Sequence, residues 1–243
     1  MSLYLIGLGL NNGKSLSLEG LETIKKCSKV YLETYTSILD CPVTDLEALY
    51  GIKIAIADRK LIEELPTLID EAKEGSIALL ISGDVFAATT HIDLFLRAKK
   101  AGIEVKTIHS ASILTAIGIT GLQLYNLGKI ASIPFENKNI IAPLEALKMN
   151  TKNNLHTLFL LDINDGKGMT VKQALDYLLT NGIGNRLCVA CCAIGTEKQN
   201  ILAGKAKVLQ KQDFAKMPFP QCLIVPAKKL HFMEEEVLEL WGN

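Results

Sequence analysis

A short stretch in the first half of the chain combines an acidic side chain with a glycine at the end of an apolar segment. Ser82-Gly83-Asp84 follows the apolar residues Ile77 to Ile81 and precedes a helical pattern. Ligands of parallel α/β sheets gather outside the carboxyl ends of the strands. Glycine lets another molecule approach the backbone, and a carboxylate accepts hydrogen bonds. The stretch therefore predicts a small-molecule site with Asp84 at its edge.

Similar combinations of glycine and small polar residues end other apolar segments. They are Gly7-Leu8-Gly9-Leu10, Ser110-Ala111-Ser112-Ile113, Leu161-Asp162 and Ile194-Gly195. Strand ends of this kind suit a compact polar cofactor that is held through main-chain atoms. When a cofactor carries the reactive group, the protein supplies mainly binding and orientation. The pattern therefore favours an enzyme that works through a cofactor.

Two phosphate-binding motifs are suggested by the first glycine turn, and both are incomplete. The Walker pattern requires a glycine five residues before the glycine of Gly13-Lys14-Ser15, where this chain has Leu8. The dinucleotide fingerprint requires a glycine three residues after Gly9, where this chain has Asn12. Binding of a nucleoside triphosphate or dinucleotide through this turn is not expected.

Other residue types that often act in catalysis form no recognisable arrangement. The four histidines are His91, His109, His156 and His231, and they are scattered along the chain. Cys188-x-x-Cys191 lies in an apolar run that predicts a strand, where residues three apart point to opposite faces. No second Cys/His pair has zinc-site spacing. We therefore expect buried structural thiols rather than a metal or redox site.

Composition and charge limit the classes of function. The chain has 243 residues, 49% of them hydrophobic, which is ample for a packed core. Lys+Arg 26 balances Asp+Glu 26, so the chain has no global basic field for nucleic acid, and direct nucleic-acid binding is not expected. No apolar run approaches the roughly 20 residues needed to span a bilayer, and Leu3 to Leu10 lacks the features of a signal peptide. We expect a cytoplasmic protein without membrane contact.

Short apolar segments alternate with helical patterns, which predicts parallel α/β architecture. Ile92 to Lys100 is predicted to be a helix, and Ile201 to Gln210 a strand. A terminal helix is predicted over Leu230 to Leu240, with Glu234, Glu235 and Glu236 on a solvated face. Strands follow one another more closely in the second half. We predict two α/β domains, residues 1–110 and 111–243.

Four blocks of sequence occur in an order that matches a known family. They are Tyr4-Leu5-Ile6-Gly7-Leu8-Gly9-Leu10, Gly83-Asp84 with Ala88-Thr89-Thr90-His91, Ser112-Ile113 with Gly118-Ile119-Thr120-Gly121-Leu122, and His156-Thr157-Leu158 with Leu161-Asp162-Ile163. Over essentially its whole length the chain resembles the diphthine synthases, of the tetrapyrrole methylase-like S-adenosylmethionine-dependent methyltransferases. Gly83-Asp84 alone would identify only this superfamily. The Ala-Thr-Thr-His and Gly-Ile-Thr-Gly-Leu segments point to the diphthine synthases.

The resemblance implies a fold, a reaction and partners. The fold is two α/β domains of the tetrapyrrole methylase type with a cofactor cleft between them, in a homodimer. The reaction is methyl transfer from S-adenosyl-L-methionine to the amino group of the 3-amino-3-carboxypropyl-modified histidine of translation elongation factor 2, leaving S-adenosyl-L-homocysteine. The archaeal branch transfers three methyl groups and the eukaryotic branch adds a methyl ester. The number for this chain stays open.

The resemblance also implies cofactor-binding positions. They are Leu10, Asp84, Ala87, Ser112, Ile113, Leu161, Ile194 and Gln221. Asp84 and the main chain near Ala87 would flank the polar groups of the cofactor, and Leu161 and Ile194 would line its adenosine side. Two positions depart from the family pattern, since Val85 replaces a usual proline and Gln221 a common histidine. Gln221 keeps a hydrogen-bond donor and an acceptor but does not titrate near neutral pH.

Two alternatives remain beside this reading. One is a methyltransferase of the same superfamily that acts on a tetrapyrrole or on ribosomal RNA. The other is a non-catalytic cofactor-binding interaction module. Displacement at a sulfonium methyl needs no covalent enzyme intermediate, but the amine must be deprotonated first. Water or a nearby carboxylate could accept that proton, and the sequence does not identify the base.

Overall fold

The structure is a computed structural model that describes residues 1–39, 41–164 and 166–242. The chain divides into two compact units, Met1–Leu114 and Thr115–Asn243. Each unit contains a β-sheet with helices, which confirms the predicted α/β fold class. The predicted division after residue 110 lies just before the helix Ile113–Ala116, which contains the boundary between the units.

The first unit is built on a five-stranded parallel sheet. In chain order its strands are β1 (Ser2–Gly7), β2 (Lys29–Glu33), β3 (Ala55–Ala57), β4 (Ile77–Ile81) and β5 (Glu104–Ile108). They lie in the order β3-β2-β4-β1-β5. The carboxyl ends of β4, β1 and β5, which are neighbours in the sheet, therefore lie side by side.

Both faces of this sheet are buried. Leu3 and Leu5 of β1 belong to one hydrophobic cluster, whereas Ile6 belongs to another. Every residue of β4 is buried. A parallel strand that is covered on both faces needs a nearly continuous aliphatic run. Ile77-Ala78-Leu79-Leu80-Ile81 supplies such a run.

Helices connect the strands of the first unit. They are α1 (Leu18–Ile24), α2 (Val43–Tyr50), α3 (Arg59–Glu63), α4 (Thr67–Glu74) and α5 (Ile92–Lys100), and a further helix, α6 (Ile113–Ala116), follows the last strand, β5. The Ser17 hydroxyl caps α1 by accepting a hydrogen bond from the Gly20 N–H at 3.0 Å. The prediction for α5 is confirmed at both ends, and its last turn carries cations that the helix dipole favours.

The second unit contains a mixed sheet and a small hairpin. Its strands are β6 (Ala131–Ile133), β7 (Thr157–Leu161), β8 (Ile163–Asn164), β9 (Lys167–Gly168), β10 (Leu187–Cys192), β11 (Asn200–Lys205) and β12 (Gln221–Val225). The sheet order is β11-β10-β12-β7-β6, and β8 pairs with β9. Within the sheet β6 is parallel to β7, and the other pairs are antiparallel. The helices are α7 (Ala142–Lys152), α8 (Val171–Thr180), α9 (Ala206–Leu209) and α10 (Phe232–Leu240).

One predicted element needs correction, and one helix was not predicted. The strand predicted over Ile201 to Gln210 ends at Lys205, where α9 begins. Ala206 and Leu209 are both buried, and this spacing of three is helical rather than alternating. Helix α2 was not predicted, because Pro42 suggests a loop; here the proline precedes the first helical residue.

The prediction that Glu234 lies on a solvated face of the terminal helix is wrong. This residue is only 1% exposed, although Glu235 and Glu236 are exposed. Its carboxylate accepts hydrogen bonds from the backbone N–H groups of Gln123 and His231, each at 2.8 Å. It also lies 2.9 Å from Nε2 of His156. A buried carboxylate is tolerated when it is hydrogen-bonded in this way.

The cysteines of the second unit are buried, namely Cys188, Cys191, Cys192 and Cys222. Burial raises the pKa of the Cys188 and Cys192 thiols to about 12 in each case. Such thiols remain protonated and unreactive at neutral pH. Among the described residues no group of three or more His, Cys, Asp and Glu side chains could hold a metal ion. No helix in the described part of the chain has the length and apolarity to cross a membrane.

Candidate cofactor site

The loops that follow β1 and β4 are joined at the edge of the first sheet. Gly9 and Gly83 exchange two backbone hydrogen bonds, each 3.0 Å long. A side chain at Gly7 would have no room, because its Cβ would lie 2.6 Å from the Gly83 carbonyl oxygen and 2.9 Å from the Ser110 Cβ. These glycines allow the loops after β4 and β5 to meet across the end of β1.

Asp84 connects the loop after β4 to the loop after β5. Its Oδ2 accepts a hydrogen bond from the Ser110 N–H at 3.1 Å and lies 2.8 Å from Nδ1 of His109. Its Oδ1 accepts from the Phe86 N–H at 3.2 Å. The side chain keeps 15% of its surface exposed. Asp84 thus fixes both strand ends and still presents part of its carboxylate to solvent.

These contacts determine the charge of Asp84. Burial by itself would raise the pKa of the carboxyl group, but the Ser110 N–H, His109 and the Phe86 N–H together lower the pKa below its ordinary value. Hydrogen bonds to the charged form favour that form. Asp84 is therefore a carboxylate, able only to accept hydrogen bonds, throughout the neutral range.

The other predicted positions of the first unit lie at the same edge. Leu10 follows the Gly9 contact and is half-buried. Ala87 lies in the turn after Asp84, where its N–H points to the Asp84 carbonyl at 3.4 Å. Ser112 is buried, and its hydroxyl accepts a hydrogen bond from the Leu114 N–H at 3.1 Å. Ile113 begins α6. The structure thus brings together all five positions predicted in this unit.

The predicted positions of the second unit lie along one edge of its sheet. Leu161 ends β7, Gln221 begins β12, and Ile194 follows β10. The strands are neighbours, with Cys222 paired to Leu160 and Gln221 paired to Cys192. Leu161 and Ile194 are buried and apolar. They provide the kind of surface that the planar base of a nucleoside requires.

The side chain of Gln221 is engaged within the protein. Its Oε1 accepts from the Val171 N–H, and its Nε2 donates to the Phe214 carbonyl, both at 2.9 Å. The first bond satisfies a free donor at the start of α8. Any contact of Gln221 with a cofactor would therefore use its main chain.

Sequence patterns missed several features beside these positions. Ala88 and Ala193 adopt positive φ values of 61° and 47°, which is unusual for residues with a Cβ. They adjoin Ala87 and Ile194, and strained residues of this kind concentrate at functional sites. The Asp84–His109 contact was also missed, because residues 25 apart in sequence give no local signal.

The hydrogen-bond acceptors at the edge of the first sheet are suited to S-adenosylmethionine. Its amino and hydroxyl groups can donate to the Asp84 carboxylate and to strand-end carbonyls. A Cβ added at Gly83 would meet only the Ala111 carbonyl oxygen, 3.9 Å away, so this backbone can be approached closely. Within the second unit, the apolar edge at Leu161 and Ile194 suits the adenine base.

Comparison with known proteins places the chain in a family. The family model for tetrapyrrole (corrin/porphyrin) methylases matches residues 2–210. A diphthine synthase of Methanocella arvoryzae is 41% identical, over 98% of this chain and 96% of its own length. The chain belongs to the diphthine synthases of the tetrapyrrole methylase family. The resemblance read from its sequence blocks is thereby confirmed.

Two further relatives extend this diphthine synthase likeness. The diphthine methyl ester synthase of Homo sapiens is 38% identical, over 99% of this chain and 95% of its own length. A solved structure of a diphthine synthase has a TM-score of 0.93 and 33% identity, covering all of this chain and 96% of that one. The likeness therefore includes both units.

Proposed function

We propose that this chain is an S-adenosylmethionine-dependent methyltransferase of diphthamide biosynthesis. Its substrate is the amino group of the 3-amino-3-carboxypropyl-modified histidine on translation elongation factor 2. Full-length similarity to diphthine synthases is the observation that carries the proposal. The strand ends of the first unit, with Asp84 at their centre, support it by their suitability for a polar cofactor.

Different predicted positions bind different parts of the cofactor. Asp84 and the backbone near Ala87 bind its polar groups, and Ser112 with Ile113 holds another part. Leu161 and Ile194 contact the adenosine side, and Leu10 and the main chain of Gln221 complete the set. Bound S-adenosylmethionine supplies a methyl group that its sulfonium already activates. The protein then has to orient the amine and remove its proton.

Transfer of label tests the proposal. The protein is incubated with methyl-labelled S-adenosylmethionine and elongation factor 2 that carries the aminocarboxypropyl histidine. We expect label on the factor, and none on a factor that lacks this modification. Label on a tetrapyrrole or on ribosomal RNA would indicate another methyltransferase of the family. Cofactor binding without any transfer would indicate a binding module.

The number of methyl groups needs a separate measurement. Relatives named diphthine synthase and diphthine methyl ester synthase are 41% and 38% identical to the chain, respectively. Sequence identity therefore does not distinguish which of the two products this chain forms. Mass spectrometry of the modified peptide distinguishes three added methyl groups from four. Mild alkaline hydrolysis removes only an ester methyl, which assigns the fourth group if it is present.

We also propose a cytoplasmic homodimer. The cytoplasm is where an elongation factor is available as substrate. Exposed apolar side chains in the second unit support association, among them Tyr125, which is fully exposed, and Phe232, which is 61% exposed. Sedimentation equilibrium would give twice the chain mass of 26.5 kDa for a dimer. A single species at the chain mass would contradict this part of the proposal.

A further inference from the structure

His109 stands at the end of β5 with a carboxylate partner on one nitrogen. Its Nδ1 lies 2.8 Å from Oδ2 of Asp84, and its side chain is 66% exposed. The ring also packs edge-on against Phe86, with centroids 6.2 Å apart and planes at 63°. Asp84 and Phe86 belong to the same loop after β4. That loop therefore orients the imidazole by a hydrogen bond and by an aromatic contact.

The contact with Asp84 determines where the ring carries its proton. The Asp84 carboxylate can only accept a hydrogen bond, so Nδ1 of His109 is the donor. The hydrogen bond at one ring nitrogen fixes the state of the other. In the neutral ring Nε2 therefore bears the lone pair. Nε2 is the ring nitrogen that does not contact Asp84, and the side chain as a whole is 66% exposed.

The other histidines are differently placed. His91 and His156 are each 1% exposed and cannot reach a protein substrate. His231 caps α10, since its Nδ1 accepts from the Met233 N–H at 3.3 Å. Among the four histidines, His109 alone combines an exposed ring with a carboxylate that orients it. This combination is the usual form of a histidine general base.

We propose that Nε2 of His109 is the general base that deprotonates the substrate amine, with Asp84 as its positioning residue. The inference rests on the proposed function, because it concerns the same reaction. An alkyl amine is an ammonium ion at neutral pH and has no lone pair for attack. That proton must be removed before the nitrogen can attack the sulfonium methyl.

Proton transfer to His109 precedes methyl transfer. The ammonium N–H bond breaks, its proton bonds to Nε2 of His109, and the electron pair stays on the substrate nitrogen. The nitrogen then forms its bond to the methyl carbon while the bond from that carbon to sulfur breaks. The sulfur keeps that electron pair and becomes a neutral thioether. The imidazolium, paired with Asp84, returns its proton to water before the next transfer.

Two elements beside β5 carry titratable side chains. Asp84, on the loop after β4, contacts the ring, and Lys14 belongs in sequence to the turn after β1. That turn packs on the His109 segment through a bond from the Ser110 hydroxyl to the Ser15 carbonyl, 3.2 Å long. On β5 itself the nearest charged residue in sequence is Lys106, which pairs with Glu104. Any pH profile has to be interpreted with these groups in view.

The test is the pH dependence of the His109→Asn variant. An asparagine amide can still donate to Asp84 but offers no basic nitrogen. At pH 7 we expect kcat to fall about 100-fold or more, with the affinity for S-adenosylmethionine, measured by calorimetry, unchanged. As the pH rises and solvent deprotonates the amine unaided, the variant should recover towards the wild-type rate. His231→Asn, which preserves a capping residue, is the matched control and should keep the wild-type rate.

The possible outcomes separate this inference from the proposed function. An active wild type with an equally active His109→Asn variant would overturn the inference and leave the function intact. A uniform loss at every pH would also overturn it, because it would indicate a structural role. A wild type that modifies no elongation factor would instead refute the function. Restored activity on adding imidazole to His109→Ala would support the base directly.

A second measurement needs no reaction. Nitrogen-15 NMR of the protein without cofactor reports which imidazole nitrogen carries hydrogen. We expect the Nδ1–H form for neutral His109 in the wild type, because Asp84 accepts from that nitrogen. The Nε2–H form would place the ring's acceptor towards Asp84 and its donor towards substrate, and would contradict the proposal.

Discussion

Asp84 shows how one side chain can serve both a structure and a site. It accepts hydrogen bonds from two backbone N–H groups of different loops, those of Phe86 and Ser110. It also retains an exposed part that can meet a ligand. Replacement of Asp84 by the isosteric asparagine removes the negative charge and keeps the shape of the side chain. The variant therefore tests what the charge contributes.

We predict that Asp84→Asn binds S-adenosylmethionine about tenfold to hundredfold more weakly. An amide loses the charge-assisted bonds to the loop after β5, each worth about 1.5–3 kcal/mol, and offers the cofactor a weaker acceptor. Titration calorimetry measures the affinity. Asp93→Asn is the matched control, since Asp93 is exposed on α5 and pairs with Arg97 within its helix. Unchanged affinity in Asp84→Asn would contradict the cofactor role of the residue.

The sequence predicts the residue types of the site better than their side-chain directions. Asp84, Ser112 and Leu161 could be placed at strand ends because strand ends have local signals in glycine and hydroxyl residues. The engagement of Gln221 with Val171 and the burial of Glu234 could not be predicted. Both depend on partners at least 50 residues away, and only tertiary packing brings them together.

Elements were predicted where their pattern was strong. Helix α5 was found because its apolar spacing, its basic last turn and the following Gly102 agree. Helix α9 was missed because four helical residues directly after a strand are too few to change the apparent period. The parallel sheet of the first unit could be predicted because short apolar segments alternate with helical patterns. The mixed sheet of the second unit depends on long-range strand pairing, which the periodicity of apolar residues does not encode.

We predict that Gly7→Ala is destabilised by about 1–3 kcal/mol, the usual cost of overpacking. Its Cβ would meet the Gly83 carbonyl oxygen at 2.6 Å and would separate the loops that carry Asp84 and Ser110. The same variant should therefore bind cofactor more weakly. Urea unfolding and calorimetry measure the two effects.

A glycine elsewhere provides the control for this substitution. Gly204 lies within β11, and a Cβ there would contact the Leu209 side chain at an ordinary 3.5 Å. Gly204→Ala should keep the wild-type affinity for cofactor. If both variants lost affinity equally, the close approach at the end of β1 would not be the reason.

The start of α10 depends on Glu234. We predict that Glu234→Gln costs about 1–3 kcal/mol, because the amide weakens the bonds to Gln123, His231 and His156 in a buried place. Glu236→Gln, two residues along the same helix and exposed, should stay within about 0.5 kcal/mol of the wild type. Denaturant midpoints of the two variants compare them directly. Equal midpoints would mean that the buried carboxylate contributes nothing to stability.

At the scale of the whole molecule, acid should weaken the fold. Burial lowers the pKa of His91 to about 4 and outweighs the nearby Val85 carbonyl and Glu63. Burial also lowers the pKa of His156, against the opposing effect of Glu234. For each histidine the unfolded chain binds its proton at a higher pH than the folded chain. Stability therefore falls as the pH decreases below about 6.5, the pKa of an unfolded histidine.

The carboxylates modify this response in both directions. Burial alone would raise the pKa of Glu234, but the hydrogen bonds to its carboxylate outweigh burial and lower the pKa. The stabilisation that ionised Glu234 provides is therefore lost as the pH falls. Glu33 differs, because burial raises its pKa despite hydrogen bonds from Thr36 and Tyr35. Protonation of Glu33 favours the folded state, so Glu33 opposes acid unfolding. The histidines titrate first, and they should determine the slope above pH 5.

We predict that His91→Gln reduces this acid sensitivity. The difference between about 4 and 6.5 in the pKa of His91 corresponds to about 3 kcal/mol lost between those pH values. Glutamine does not titrate there, so the variant should lose correspondingly less stability between pH 6.5 and pH 4. Urea unfolding at intervals of half a pH unit measures the slope. A His91→Gln slope equal to the wild-type slope would show that His91 is not the group that acid protonates on unfolding.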